Sequence, residues 1–390
     1  MSKKFLLLMP LFITTTTFVY PENLSTTKVS IQQIRFKEQA KQNYTTTVVN
    51  KLILPPRLKF GDTISIVASA SNITHLNEIP EIKRRFESMG FKVILGKNIY
   101  ASAPLPIGAT KLSESNPNIK EDLDHSYIQY AGTPKERADD LMDMFKNQKV
   151  KAIIELRGGY GSAQILDLLD YDIIKQNPKI LIGFSDITSL LLAINLQTGL
   201  VTFHGPVAVM DWNDFSYNYF KWLVMDGAYP LVLNKYIPAL DDDGNISNLN
   251  FTITSGRAEG RLIGGNLTLL MNLLGTKYQP DFNHAILFVE DADEKDLYRI
   301  DRMLGQLKNS GALNKISGFI FASCSNCNLT SLGYSTLMKT FKEYIKPLKI
   351  PAFAGTMVGH FGSNYTLPIG SQVKIDADSG SMTIQNRVVQ

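Results

Sequence analysis

Lys179-Ile180-Leu181-Ile182-Gly183-Phe184-Ser185-Asp186-Ile187-Thr188 sets a serine between a continuous apolar run and a segment with helical spacing, with glycine two residues before it. A sharp strand-to-helix turn of this kind lifts the serine out of the backbone path and aims the first helical amides at its Oγ. Ser185 is therefore a candidate nucleophile, and the Asp186 amide a candidate donor to the oxyanion that its attack would create. The plainer alternative is an ordinary helix start, with Ser185 as N-cap and Asp186 favouring the first turn. Ile187 stands where the last glycine of the full G-x-S-x-G pattern would be.

Arg157-Gly158-Gly159-Tyr160-Gly161 follows another apolar run, Val150–Leu156. Glycines at a strand end let backbone approach a ligand closely or present N–H groups. Gly-x-Gly-x-x-Gly and Gly-Lys-Ser/Thr are both missing, which argues against nucleotide phosphates. A second oxyanion donor, from Gly158 or Gly159, suits the segment better.

A serine nucleophile needs a base, and a histidine base needs a carboxylate to orient it. Five histidines compete. His75 and His125 stand in polar stretches, and His284 precedes an apolar run. His204, in Thr202-Phe203-His204-Gly205-Pro206, and His360, in Val358-Gly359-His360-Phe361-Gly362, are comparable candidates. Glu290 directly follows the apolar run Ala285–Val289 and is the leading carboxylate, at a sheet edge near the core. A solvated turn formed with Asp291 is its alternative.

The elements that must position these residues alternate. Strands are read over 63–68, 91–95, 150–156 and 179–183, and helices over 79–89, 134–147, 163–169 and 186–197. The strands are near-continuous apolar runs, as in a parallel sheet covered on both faces. Residues 57–208 are accordingly assigned to an α/β domain with a flavodoxin- or Rossmann-like parallel sheet. The strands before Arg157 and Ser185 would point their carboxyl ends at one crevice, where open α/β sheets bind ligands. Over 209–258 the pattern degrades, and the segment reads as a linker with a hairpin. Its acidic stretch Asp241-Asp242-Asp243-Gly244-Asn245 lacks the alternating ligands and terminal Glu of a calcium loop and reads as a turn. A mixed α/β domain follows over 259–390. In it Gly264-Gly265-Asn266 opens a helix over 267–274, and strands at 285–289, 317–322 and 355–358 alternate with helices at 298–308 and 334–345.

With 390 residues, 44% hydrophobic and 19% charged, the chain has globular composition, which excludes wholesale disorder. Its net charge of +4 lacks the dense basic face that nucleic acid requires, so no nucleic-acid partner is expected. Two cysteines are too few for a disulfide-built scaffold. Cys324 and Cys327 lack both a thioredoxin-type setting and a second pair for zinc, and read as a structural pair, oxidised if the protein is exported. Lys3 and Lys4 before the apolar run Phe5–Ile13 have the pattern of a secretory signal. That run is short of the ~20 residues of a membrane span, so no stable span is expected. Residues 1–56 read as this signal-like segment plus a polar extension, and the protein as exported or periplasmic, with the cytoplasm as the alternative.

Further motifs appear in a fixed order: Ala131-Gly132-Thr133 with Arg137-Ala138-Asp139-Asp140-Leu141; the Arg157, Ser185 and His204 segments above; Gly264-Gly265-Asn266-Leu267; Phe288-Val289-Glu290-Asp291 with Tyr298-Arg299-Ile300-Asp301-Arg302; and Gly359-His360 with Asn364 and Leu367-Pro368-Ile369-Gly370. From about Leu58 to Ala377 the chain resembles the LD-carboxypeptidase (muramoyltetrapeptide carboxypeptidase) family of serine peptidases, which also contains the microcin C self-immunity peptidases. The resemblance implies a triad of Ser185, Glu290 and His360 in the interdomain cleft, and leaves His204 a structural or cleft-lining role. It implies an oxyanion hole from the Asp186 amide and Gly159, no metal or organic cofactor, a murein peptide partner and a homodimer. The implied reaction is release of terminal D-Ala from murein tetrapeptide. Hydrolysis of a peptidyl-nucleotide amide, or silent binding of a wall peptide, are the alternatives. A carboxypeptidase must also hold a terminal carboxylate, and Arg157 is the candidate guanidinium, with a structural ion pair as its other role. The chain departs from its relatives at Leu297, where they often carry proline, and in its extension, since the family's recycling enzymes are cytoplasmic.

Overall fold

Two sheets carry the chain. The computed structural model describes residues 51–73, 75–103, 130–234, 249–294, 297–327, 329 and 331–390. The signal-like segment through residue 50, His125 and the Asp241–Asn245 turn lie outside the described residues.

The first sheet is built from β1 (Thr63–Val67), β2 (Lys92–Leu95), β3 (Val150–Glu155), β4 (Ile180–Gly183) and β5 (Thr202–His204), alternating with α1 (Ile79–Ser88), α2 (Pro134–Lys146), α3 (Tyr171–Gln176) and α4 (Thr188–Thr198). These five strands are parallel in the order β2-β1-β3-β4-β5, the flavodoxin-type order, which puts the topological switch point between β1 and β3. Ile64, Ile66, Ala152, Ile153, Ile180, Leu181 and Ile182 are buried, as expected of strands covered on both faces. α2 starts with a capping box: Thr133 Oγ1 accepts from Glu136 N (3.2 Å), and Glu136 Oε2 accepts from Thr133 N (2.8 Å). The stretch expected to be helical over 163–169 is a 3-10 turn, Ser162–Leu168, entered from Gly161 in left-handed backbone.

Residues 209–258 are more than a linker. α5 (Asp214–Phe220), capped by Asn213, runs on into a π-helical turn over Lys221–Met225. Phe215, Tyr217 and Tyr219 alternate with polar residues, a period-two pattern that hides this helix in the sequence. β6 (Leu231–Leu233) and β7 (Phe251–Thr254) form no hairpin with each other, because they lie at opposite edges of the second sheet.

The second sheet adds β8 (Arg257–Asn266), β9 (Ala285–Ala292), β10 (Gly318–Ser325), β11 (Ala352–Ala354), β13 (Gln372–Asp376) and β14 (Ser381–Ile384), in the order β6-β14-β13-β8-β9-β10-β11-β7. β8 to β11 are parallel and the rest antiparallel, so this sheet is mixed. Its helices are α6 (Leu267–Leu273), α7 (Tyr298–Asn309) and α8 (Ser331–Tyr344). The strand read over 355–358 lies instead at Ala352–Ala354, because Gly355 (φ +101°) turns the chain out of the sheet. β12 (Leu367–Ile369) crosses back and pairs antiparallel with β5 at the edge of the first sheet, where its Pro368 is tolerated. Cys324 and Cys327 form a disulfide across the turn that leaves β10. Among the described residues no helix is long and apolar enough to cross a membrane.

α4 joins the two sheets. Leu190, Leu191, Leu192, Ala193 and Ile194 are all buried, so the helix is enclosed along its first turns and only partly exposed at Asn195, Leu196 and Gln197. It packs on β5 on one side and on β8 and α6 on the other. Gly265 (φ +132°) brings backbone against Thr188 at its start, and Thr188 Oγ1 accepts from Asn266 N at 3.0 Å.

Candidate active site

Ser185 lies between β4 and α4 with φ +61°, the left-handed conformation that a side chain adopts only under constraint. The turn is tight: a Cβ on Gly183 would stand 2.8 Å from Ile187 Cγ2. The hydroxyl is not spent on capping the helix. Instead it meets His360 Nε2 at 2.9 Å.

Glu290 was expected beyond the end of a strand at a sheet edge. β9 in fact continues through it, in the sheet interior between β8 and β10, with Asn266 and Ser323 as register partners. Its side chain is 0% exposed, so the solvated-turn alternative is excluded. Oε2 of Glu290 meets His360 Nδ1 at 2.9 Å. His360 itself sits in the loop between β11 and β12. Gly359 (φ +128°) passes so close to Glu290 that a Cβ there would lie 2.8 Å from Oε2. Asn364 Oδ1 accepts from Gly359 N at 3.3 Å and braces this loop. His204 makes neither contact. It is buried beneath the group, edge-on to Phe184 and Phe288.

The pair is electrostatically poised. Burial pushes the Glu290 carboxyl up, but the charge and hydrogen bond of His360 outweigh it and hold it below its ordinary value. Burial pulls His360 down, yet the charge and hydrogen bond of Glu290, with Asp291 and Asp293 behind them, leave it above its ordinary value. Asp291 accepts from Thr268 N (3.1 Å), Thr268 Oγ1 (2.9 Å), Asn266 Nδ2 (3.1 Å) and Ala292 N (2.9 Å). Burial, then the Glu290 charge, pushes its carboxyl up to about 6.

Ser185 and His360 open onto a cleft of about 690 Å³ lined by residues of both sheets, including Arg157, Gly159, Tyr160, His75, Asn266 and Asp293. Gly158 lies directly against the Ser185 turn: a Cβ there would stand 2.8 Å from Ser185 Cβ and 3.3 Å from the Asp186 nitrogen. Gly159, in left-handed backbone at φ +106°, is the next residue along the cleft wall. The half-buried Arg157 donates to Asn72 O at 3.2 Å, and among the described residues no carboxylate pairs with it. The ion-pair alternative for Arg157 therefore finds no partner among them.

Three side chains hold this loop: that of Asp186, which the sequence reading used only for its backbone amide, and those of Arg137 and Glu155, which it did not name as site residues. The Asp186 side chain accepts from Ser162 N at 2.8 Å, fastening the glycine loop to the Ser185 turn. Buried Arg137 donates to Ser69 O (3.0 Å), Gly161 O (2.7 Å) and Gln164 Oε1 (2.7 Å). Glu155, at the end of β3, accepts from Ser69 N (3.0 Å) and Ser69 Oγ (2.7 Å). The available signal was a charged residue placed where helix or strand spacing demands an apolar one.

Residues 64–205 match the family model described as the LD-carboxypeptidase N-terminal domain, and residues 259–375 its C-terminal domain. The chain is 33% identical over 337 residues to the probable murein peptide carboxypeptidase of Bacillus subtilis, covering 85% of this chain and 94% of that one. Among solved structures it is similar to the microcin C7 self immunity protein MccF in complex with aspartyl sulfamoyl adenosine (TM-score 0.70, 26% identity, 87% of this chain and 100% of that one). It is also similar to the muramoyltetrapeptide carboxypeptidase from Oxalobacter formigenes (TM-score 0.63, 26% identity, 83% and 99%). With both family domains matched in order around this site, the chain belongs to the LD-carboxypeptidase family of peptidases.

Proposed function

We propose that this chain is a serine LD-carboxypeptidase that releases the terminal D-alanine from murein tetrapeptide. The observation that carries this reading is the unbroken run Ser185 Oγ–His360–Glu290, with 2.9 Å at each step, opening onto the shared cleft. His360 Nε2 takes the Ser185 proton as Oγ attacks the carbonyl carbon, then delivers it to the departing D-alanine nitrogen. Glu290 holds Nδ1 protonated and stabilises the imidazolium. The Asp186 amide and the Gly158-Gly159 backbone are suited to receive the oxyanion, and water then hydrolyses the acyl-Ser185 ester by the same proton path in reverse. Arg157, with no carboxylate partner among the described residues, suits the terminal carboxylate of the peptide. A second reading, cleavage of a peptidyl-nucleotide amide, draws on Tyr160, which lines the cleft and is 59% exposed, so its ring is free to stack on a base.

Mass spectrometry of the protein with murein tripeptide, tetrapeptide and pentapeptide, beside Ser185→Ala, tests the assignment. Loss of one alanine from tetrapeptide alone, abolished in the variant, is the expected result. Release from none of them, with cleavage of a peptidyl-nucleotide, would favour the second reading, and hydrolysis that survives Ser185→Ala would remove the serine mechanism. We further place the reaction outside the cytoplasm. Lys3 and Lys4 ahead of Phe5–Ile13 and the Cys324–Cys327 disulfide support export to an oxidising compartment.

A further inference from the structure

Beneath the candidate triad lies a group of buried polar atoms that no described residue satisfies: Oε1 of Glu290, both ring nitrogens of His204, Oγ1 of Thr366 and Nδ2 of Asn364. None of the four residues is more than 1% exposed. Buried polar groups are almost always partnered, by protein or by ordered water, so several unpartnered ones in one place call for a common explanation.

They converge from three elements. His204 ends β5, Glu290 lies in β9, and Asn364 and Thr366 lead into β12. Leu367 is the register partner of His204, and a Cβ on Gly205 would stand 3.0 Å from Thr366 Oγ1. Asn364 holds Gly359, whose backbone backs onto Glu290. The His204 ring is edge-on to Phe184 (5.9 Å) and Phe288 (5.3 Å), and Phe184 is in turn edge-on to His360 (4.9 Å). Burial pulls the His204 imidazole down to about 4, so at neutral pH it carries one N–H donor and one acceptor. Glu290 is close enough for its charge to act on His204. The Asn266 amide donates to Asp291 at 3.1 Å and also acts on the Glu290 carboxyl, lowering it, but forms no hydrogen bond to Oε1. His204 thus has a donor without an acceptor, and Glu290 an acceptor oxygen without a donor.

We propose that His204 is a positioning residue for Glu290: with Thr366 and Asn364 it holds a buried water that donates to Oε1 of Glu290 and keeps Oε2 aimed at His360 Nδ1. The last torsion of a glutamate is soft, so a carboxylate fixed at one oxygen alone can swing. Fixing the second oxygen holds the imidazole in line with Ser185. The inference rests on the triad reading of Ser185, Glu290 and His360, but not on the identity of the peptide.

The test is the rate at which a fluorophosphonate labels Ser185 of the full chain, followed by mass spectrometry, because labelling needs an activated serine and no peptide. Ser185→Ala takes no label. His204→Phe, which keeps the ring but loses both nitrogens, labels about tenfold more slowly than wild type. His204→Gln, which keeps a donor and an acceptor, stays within about threefold. In a Glu290→Gln background, His204→Phe adds no further loss. A packing role predicts the reverse order, since Phe fills the ring's place and Gln does not. Wild-type labelling by a folded His204→Phe, or faster labelling of Phe than of Gln, overturns the proposal. A crystal structure of the wild type bears on it without any variant: solvent density within hydrogen-bond reach of both His204 and Glu290 Oε1 supports it, and none there overturns it. Normal wild-type labelling without cleavage of any murein peptide defeats the substrate assignment alone, whereas no labelling at Ser185 defeats both.

Discussion

In the proposed mechanism Ser185 passes its proton to His360 only while Nε2 is unprotonated, so the imidazole should set the acid limb of the pH profile. Burial draws its pKa down, but the Glu290 charge and hydrogen bond at 2.9 Å prevail and hold it above the ordinary 6.5. Activity should therefore be full above that raised value and lost as pH falls through it. Glu290→Gln removes the charge, so the acid limb of kcat/KM should move to lower pH while kcat falls about 10³–10⁴-fold, the loss expected when a triad imidazole is held in the wrong tautomer. An unmoved limb in this variant, measured from pH 4 to 9, would show that Glu290 does not set the base. At this scale the sequence was half legible. The Gly183-x-Ser185 turn marked Ser185 as a candidate nucleophile while leaving an ordinary helix N-cap open, and the structure spends the hydroxyl on His360 rather than on a cap. The choice between His204 and His360 was not legible from residue type. Both follow or precede small residues, and only the path of the loop between β11 and β12 brings one of them across to Ser185.

The Arg157–Gly161 loop and the Ser185 turn act as one element. Ser162 N and Oγ bond the Asp186 side chain and carbonyl at 2.8 and 2.5 Å, and Ser71 N donates to Gly158 O at 3.3 Å. The loops after β1, β3 and β4 are thereby cross-tied at the switch point of the sheet, the place where ligands enter folds of this order. Gly158→Ala would put a methyl 2.8 Å from Ser185 Cβ and 3.3 Å from the Asp186 nitrogen, so the loop must retreat from the serine. We expect kcat to fall about 10²-fold, the scale of one lost oxyanion donor, with a small change in Tm. Kinetics and a thermal melt on the same preparation check this, and an unchanged kcat would detach the loop from the chemistry. The strands were readable because buried parallel strands are unbroken apolar runs. α5 was not, since its aromatic residues alternate like a strand and its helical character follows from packing, with Trp212 edge-on to both Phe86 and Phe220 at 5.1 Å. Glu290 was placed too near an edge because polarity was read as the end of a strand, whereas β9 carries its carboxylate inside the sheet against a histidine that pairs with it.

Across the whole molecule, the two sheets meet at α4, and the site exists only while β3, β4 and β9 keep their relation to it. The fold accepts buried carboxylates to do this. Glu155 ties the loop after β1 to the end of β3 through Ser69, and burial pushes its carboxyl up to about 8. Between the ordinary 4.5 and that value the unfolded chain is ionised at this residue while the folded one holds a proton. Folding then takes up a proton, so the Glu155 contribution is fully present below 4.5, is lost as pH rises toward about 8, and levels off above it. Asp291 acts with the same sign, but its change is complete by about 6. Lys179, pulled down to about 8 by burial, acts in the opposite sense and only above that pH. Glu155→Gln has the shape of the protonated acid and no titration. The Tm of Glu155→Gln minus that of the wild type should therefore rise by several degrees from pH 5 to pH 8 and flatten beyond. A difference that stays level over that interval would mean that Glu155 is ionised in the folded protein, and that the Ser69 bonds outweigh the cost of burying its charge.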